Sequence, residues 1–193
     1  MTRKNSKASA PASLSRWRRK LLQRMPRNGV CAEIGVWRGA FSEAILEVTK
    51  PQVLHLIDPW EFQGEFPDRM YGGSVARGQA DMDRIYDSVC RRFDSFDNVR
   101  IHRGKSDQVL SQFEDDSLDW VYIDGNHYYD YVLQDLNLSI WKVKSGGYLT
   151  GDDYNWGASE GYPVKQALQD FALEKGLEQQ LEILGSQFLL RVP

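Results

Sequence analysis

The chain has 193 residues, 41% hydrophobic and 26% charged, with a net charge of −3. That composition suits one ordinary globular domain and excludes collagenous, fibrous and wholly disordered classes. No apolar run approaches the ~20 residues of a spanning helix and no secretory apolar region opens the chain, so a cytoplasmic protein without a membrane partner is expected.

The charge is unevenly spread. The first 28 residues hold nine Lys or Arg and no acid, leaving 15 bases against 27 acids for the rest. Residues 1–12 are small, polar and basic, the composition of a disordered arm. Ser13 is placed to cap a first helix, with Leu14, Trp17, Leu21, Leu22 and Met25 on one face and Arg16, Arg18, Arg19, Lys20 and Arg24 around the rest. The apolar face calls for packing on the domain. The basic face leaves nucleic-acid binding through residues 1–28 as an alternative, although the aromatic interleaving of a stacking platform is missing.

From residue 29 onward strand and helix patterns alternate without an internal repeat, the signature of a doubly wound sheet. Strands are predicted near 30–35, 53–58, 98–103, 118–124 and 146–152, with an antiparallel end pair near 180–185 and 187–192. Helical spacing marks Phe41, Ile45 and Val48, the stretch 81–94, Val132, Leu136 and Ile140, and finally Val164, Leu168 and Phe171. Residues 60–80 show no clear period. A loop of that length reads as a lid or binding loop, with Gly72-Gly73 as hinge material. The two cysteines, Cys31 and Cys90, cannot form a disulfide framework, and Cys31 falls inside a core strand.

Two strand ends carry the chemistry. One closes on Asp124 and the next parallel strand on Asp152-Asp153. In a parallel sheet the carboxyl ends of strands face the ligand crevice, so these acids can converge, and convergent carboxylates need a cation such as Mg²⁺. Capping of the next helix is the competing structural role for Asp152 and Asp153, and strand alternation would send them to opposite sides. Asp115-Asp116 precedes a strand and reads as a solvated turn. At the other end, Gly35 and Gly39 follow the first strand without forming a dinucleotide G-x-G-x-x-G, and Asp58 ends the second strand where a ribose diol is commonly gripped.

Taken together, Glu33-Ile-Gly35-Val-Trp-Arg-Gly39, Asp58, Gly104-Lys-Ser106, Asp124-Gly-Asn-His127-Tyr and Gly146-Gly-Tyr-Leu-Thr-Gly-Asp152-Asp153-Tyr154 resemble the class I S-adenosylmethionine-dependent methyltransferases. Within these, Gly-Val-Trp-Arg-Gly, Asp-Pro-Trp-Glu-Phe-Gln-Gly and the Asp-Gly…Asp-Asp-Tyr arrangement are most similar to the metal-dependent sugar O-methyltransferases of the macrocin and mycinamicin type. The resemblance covers residues 29–192. It implies an α/β, Rossmann-like, three-layer α/β/α fold, with a seven-stranded sheet of order 3-2-1-4-5-7-6 whose last strand is antiparallel. Residues 13–193 would then form a single methyltransferase domain.

Carried over by position, the resemblance implies that Glu33, Gly35 and Gly39 surround the methionine part of S-adenosylmethionine, Asp58 holds the ribose, Ser106 lies beside the adenine, and Trp60 or Phe62 covers it. Asp124 belongs to both the cofactor and catalytic sets, Asp124, Asp152 and Asp153 would bind Mg²⁺, and His127 would be a base or a structural partner of Asp124. This chain has Asn126 where those relatives often carry a second Asp. The expected reaction is methyl transfer to a hydroxyl of a small molecule, a sugar or polyol among the candidates. An RNA or protein methyltransferase using the basic arm, and a catalytically silent cofactor-binding module, are the alternatives. Oligomeric state is left open, a homo-oligomer included.

Overall fold

The computed structural model describes residues 14–193. The arm at 1–12 and the Ser13 cap lie outside these residues. Seven strands, β1 (Val30–Ile34), β2 (Val53–Asp58), β3 (Val99–Arg103), β4 (Leu118–Ile123), β5 (Val143–Gly151), β6 (Leu181–Leu184) and β7 (Gln187–Arg191), alternate with six α-helices. These are α1 (Arg16–Leu22), α2 (Ala40–Thr49), α3 (Gln79–Phe93), α4 (Ser106–Leu110), α5 (Tyr129–Lys142) and α6 (Pro163–Lys175). The strands form one sheet of order β3-β2-β1-β4-β5-β7-β6, as expected. β1 to β5 pair in parallel, while β7 runs antiparallel to β5 and to β6.

The two faces follow from the period of two along a strand. Cys31, Leu54, Leu56, Trp120, Tyr122 and Leu189 point to one face, where they pack with Leu21 and Leu22 of α1, Phe41 and Ile45 of α2, and Met82 and Val89 of α3. Their neighbours Ala32, Ile34, Ile57, Val121, Ile123 and Leu190 point to the other, against Leu110 of α4, Leu136 of α5 and Leu168 and Phe171 of α6. Both faces are covered, which is why these strands read as continuous apolar runs instead of alternating ones. Among the described residues no helix is long and apolar enough to cross a membrane.

Three local features depart from the sequence reading. β5 starts three residues earlier than expected, because Leu118 pairs with Val143 before the register shifts to Trp120 with Tyr148. A Cβ on Gly147 would lie 2.5 Å from the Asp119 carbonyl, so glycine permits this irregular close approach. α4 spans five residues, too few for a helical period to register in the sequence. The cap of α1 is Ser15, whose side chain accepts from the Arg18 backbone N–H at 3.2 Å.

α1 is fixed by its apolar face. Leu21, Leu22 and Met25 are buried, and Trp17 sits on the β6–β7 turn, where a Cβ on Gly185 would come within 2.5 Å of the indole. Arg24 completes the docking through a two-point ion pair with Glu182, at 2.5 and 2.7 Å. This geometry aims the next residue after Trp17, Arg18, at the carboxyl ends of β4 and β5.

Candidate active site

A cavity of about 870 Å³ opens at the carboxyl ends of β1, β2 and β4. Its volume lies within the ~300–1,000 Å³ usual for small-molecule and cofactor sites. Glu33, Gly35, Asp58, Ser106, Asp124, His127 and Asp153 all line it, so seven of the predicted site residues are brought to one chamber. Gly39 and Asp152 are outside that lining.

At the β1–β2 end, Asp58 is the organiser. Its Oδ2 accepts from the backbone N–H groups of Val36 at 3.0 Å and Trp37 at 2.9 Å, and its Oδ1 from that of Trp60 at 2.7 Å. Burial pushes its carboxyl up, opposed by those three amides, and the net direction is upward. A carboxylate offers about four acceptor positions, so roughly one stays free for a ligand. Gly35, at φ +88°, lets β1 turn beside β4: a Cβ there would sit 2.1 Å from the Asp124 carbonyl oxygen. The steric demand at Gly35 thus comes from the neighbouring strand end. Gly39 has a similar packing role, because a Cβ would meet the Phe93 ring at 2.6 Å.

Glu33 is buried and accepts from Ser42 Oγ at 2.5 Å; burial outweighs that bond and pushes its carboxyl up to about 8. At neutral pH it is therefore largely a neutral acid beside the cavity. Ser106 opens α4 and donates to Asp135, a buried acid of α5 held at about 7 by burial. Trp60 is fully buried, with its indole N–H on the Trp37 carbonyl and its ring near Tyr86, so it packs beneath the loop while Phe62 lines the cavity.

At the β4–β5 end, Asp124, His127 and Asp153 form a tight group. His127 Nε2 lies 3.6 Å from Asp124 Oδ1 and 3.2 Å from Asp153 Oδ2, and one donor atom from each of the three falls within 4.8 Å of the others. Burial alone would depress the imidazole, yet the Asp124 bond and the Asp153 charge outweigh it and raise it above its ordinary value. Asp153 is pushed up to about 6 by burial, against the pull of His127. It reaches the cavity from a left-handed backbone position, φ 60°, which Asp tolerates better than most residues.

Asp152 turns the other way. It accepts from Arg18 Nε at 2.6 Å, Ser186 Oγ at 2.6 Å, Asp153 N at 2.8 Å and the Gln187 amide. Its carboxyl is lowered: burial raises it, but Arg18 and these donors prevail. With about four acceptor positions filled, it is not oriented toward a shared ion with Asp124 and Asp153 as the sequence reading expects. The turn just past β5, left-handed at Asp153, divides the pair, one acid to the cavity and one to the docked helix. Arg18 also donates to Asp124 Oδ2 at 2.6 Å; no motif in the sequence points to this contact.

The wall above this group comes from the loop between β2 and α3 and from the segment after β5. Arg69 lies 4.1 Å from the Trp156 ring and 5.3 Å from that of Tyr128, Phe66 stacks on Tyr128 at 5.2 Å, and Trp156 meets His127 edge-on at 5.3 Å. Gly72 is a close-packed point in this loop, since a Cβ would fall 1.9 Å from the Phe66 carbonyl. Asn126 adds an unspent donor: its Oδ1 accepts from Tyr128 N at 3.0 Å, whereas its buried Nδ2 has no partner among the described residues.

A parallel α/β sheet with an antiparallel β7, and a cavity over the carboxyl ends of its first strands, define a Rossmann-like nucleotide- or cofactor-binding fold. Residues 32–154 match the family described as a methyltransferase domain, and the chain belongs to that family. Among curated proteins none matches it in sequence. Among solved structures it is similar to the O-methyltransferase NovP, with a TM-score of 0.66 and 20% identity, over 95% of this chain and 82% of that one. It is also similar to a proposed S-adenosyl-L-methionine-dependent methyltransferase of Methanococcus maripaludis, with a TM-score of 0.62 and 16% identity, over 90% and 82% of the chains. The N-methyltransferase NodS of Bradyrhizobium japonicum gives 0.56 and 14%, over 91% and 93%. At these identities the likeness establishes the Rossmann-like methyltransferase fold and leaves the acceptor atom to the site.

Proposed function

We propose that this protein is an S-adenosylmethionine-dependent methyltransferase that methylates a hydroxyl of a small molecule, a sugar or polyol fitting best. The observation that carries this reading is the Asp124–His127–Asp153 group at one end of a cavity whose other end presents Glu33, Gly35 and Asp58. The cofactor fits the second end: Asp58 orders the β1 turn and keeps an acceptor position for a ribose hydroxyl, Ser106 lies at the adenine side, and Glu33 and Gly35 bound the methionine side. Bound S-adenosylmethionine supplies an electrophilic methyl on a sulfonium.

The protein's part is alignment and proton removal. His127 Nε2 would take the acceptor's hydroxyl proton as that oxygen is methylated, with bound S-adenosylmethionine supplying the methyl group and keeping the electron pair of the broken carbon–sulfur bond on its sulfur. Asp124 and Asp153 stabilise the imidazolium that results. Trp156, which lines the cavity, offers an apolar face that suits the C–H face of a sugar ring, and Asn126 Nδ2 offers a donor. The loop at residues 60–80 supplies much of this wall and would act as the lid.

A divalent ion fits two of the three expected carboxylates. Asp124 Oδ1 and Asp153 would hold it, with His127 as the third donor, and the ion in place of the imidazole would then promote loss of the hydroxyl proton; Mg²⁺ prefers oxygen alone, so an ion accepting imidazole suits the set better. Such an ion would lower the proton affinity of a bound hydroxyl and orient a diol. Isothermal calorimetry with S-adenosylhomocysteine tests the cofactor assignment, and mass detection of methyl transfer to a panel of sugars, polyols and amines, with and without Mg²⁺ or Mn²⁺, tests the acceptor. Absence of S-adenosylhomocysteine binding would overturn the reading; methylation of amines in place of hydroxyls would overturn its finer half.

A further inference from the structure

Arg18 reaches the acidic end of the cavity from α1, 106 residues before Asp124 and 134 before Asp152. Its Nε and one terminal nitrogen donate at 2.6 Å each, so a single guanidinium spans the ends of β4 and β5. The rings of Phe41 and Tyr122 lie 4.9 and 5.9 Å from its carbon, covering the guanidinium and adding cation–π attraction. Burial opposes its charge, but Asp124 and Asp152 outweigh burial, so it stays a permanent cation. Asp152 in turn is saturated by Arg18, Ser186, Gln187 and its own neighbour's N–H.

We propose that Arg18 is the resident cation of this site: it holds Asp124 and Asp152 together where a divalent ion would otherwise bridge them, and it weakens any ion bound on the cavity side. Such an ion is confined to Asp124 Oδ1, His127 and Asp153, and it must share Asp124 with a fixed positive charge that repels it. The planar fork is essential to this role, since lysine presents one point charge and cannot bond two carboxylates in a fixed geometry. Docking of α1 and ion binding are then opposed: whatever draws Asp152 into an ion's shell must release Arg18.

The inference rests on reading this group as the acceptor end of the methyl-transfer site, but its test needs neither cofactor nor acceptor. Mn²⁺ binding to the full chain is followed by the paramagnetic resonance signal of the free ion, in the wild type, Arg18→Gln and Arg18→Lys, with melting temperatures in EDTA alongside. With no Mn²⁺ added, the wild type should melt at the same temperature with and without EDTA, because Arg18 already supplies the site's cation. Arg18→Gln should bind Mn²⁺ about tenfold tighter or better, melt lower in EDTA and recover with Mn²⁺, with Arg18→Lys between the two. A wild type that EDTA destabilises, or a folded Arg18→Gln whose Mn²⁺ affinity does not rise, overturns the proposal. Should Arg18→Gln fail to fold, the Arg18→Gln/Asp152→Asn double variant removes the opposed charges together, and it too must bind Mn²⁺ more tightly than the wild type. S-adenosylhomocysteine binding measured on the same wild-type sample separates the two readings, because its loss would end the methyltransferase assignment without touching the ion comparison.

Discussion

At His127, burial and charge act in opposite directions and the carboxylates prevail, which sets both a stability window and a rate window. The imidazole is raised above its ordinary 6.5, so its ion pairs add stability that is fully present below pH 6.5 and is lost as pH rises through the higher folded value. Asp153, held up at about 6, protonates toward the acid end and takes part of that attraction away. A base must be neutral to act, so the acid limb of the kcat/KM profile should lie above pH 6.5 in the wild type. His127→Ala should remove that limb and lower kcat by about 100-fold or more; an unchanged limb would leave His127 a structural partner of Asp124. Asp58 carries a second residue-level prediction. Asp58→Ala takes the acceptor from three backbone N–H groups and, on the proposed reading, from a ribose hydroxyl, each charge-assisted bond being worth about 1.5–3 kcal/mol. Calorimetry should show S-adenosylhomocysteine binding weakened by roughly tenfold to 100-fold, and urea denaturation should show lowered stability; loss of stability with full affinity would remove Asp58 from the ribose site.

Among the elements, α1 joins the chain's basic segment to its chemistry. Seven residues are too few for a stable isolated helix, so its form depends on Leu21 and Leu22, fully or almost fully buried against the sheet, and on the Trp17 seat over Gly185. Arg18 is spent on the site and Arg24, just past the helix, on Glu182, while Arg16, Arg19 and Lys20 are exposed and keep a basic outer face. Leu21→Ala should cost about 2–5 kcal/mol in urea denaturation. Deleting residues 1–12, in contrast, should leave both the melting temperature and S-adenosylhomocysteine affinity unchanged, because α1 and its Ser15 cap remain. A truncated protein that stays folded but loses cofactor would show that the arm helps close the cavity.

For the molecule as a whole, the sheet order places the cavity across the β1 and β4 strand ends, so a ligand there ties together elements from both halves of the fold. Binding confined to the native state should therefore show as global stabilisation. At 100 times its dissociation constant, S-adenosylhomocysteine contributes about 2.7 kcal/mol, which for a chain of this size raises the melting temperature by roughly 5–10 °C. NAD and GTP should give no shift, since the turn after β1 lacks the glycine spacing of a pyrophosphate cradle. An NAD shift matching that of S-adenosylhomocysteine would contradict the cofactor assignment.

Periodicity alone determined the strand and helix sequence: apolar runs such as Leu118–Ile123 and helical recurrences such as Val132, Leu136 and Ile140 are local signals, each decided by which side of an element must be dry. The same logic made strand ends the place for chemistry, and Glu33, Asp58, Asp124, His127 and Asp153 indeed share one cavity. The five-residue α4 and the early start of β5 escaped because one turn has no period and an irregular register has no sequence mark. Tertiary structure alone decided how the acids divide. Asp152 and Asp153 are adjacent in sequence and equivalent in chemistry, yet one faces the cavity and the other a guanidinium delivered from α1. That contact spans more than a hundred residues and follows from the docking of Trp17, Leu21 and Leu22, so no spacing rule within either segment could contain it.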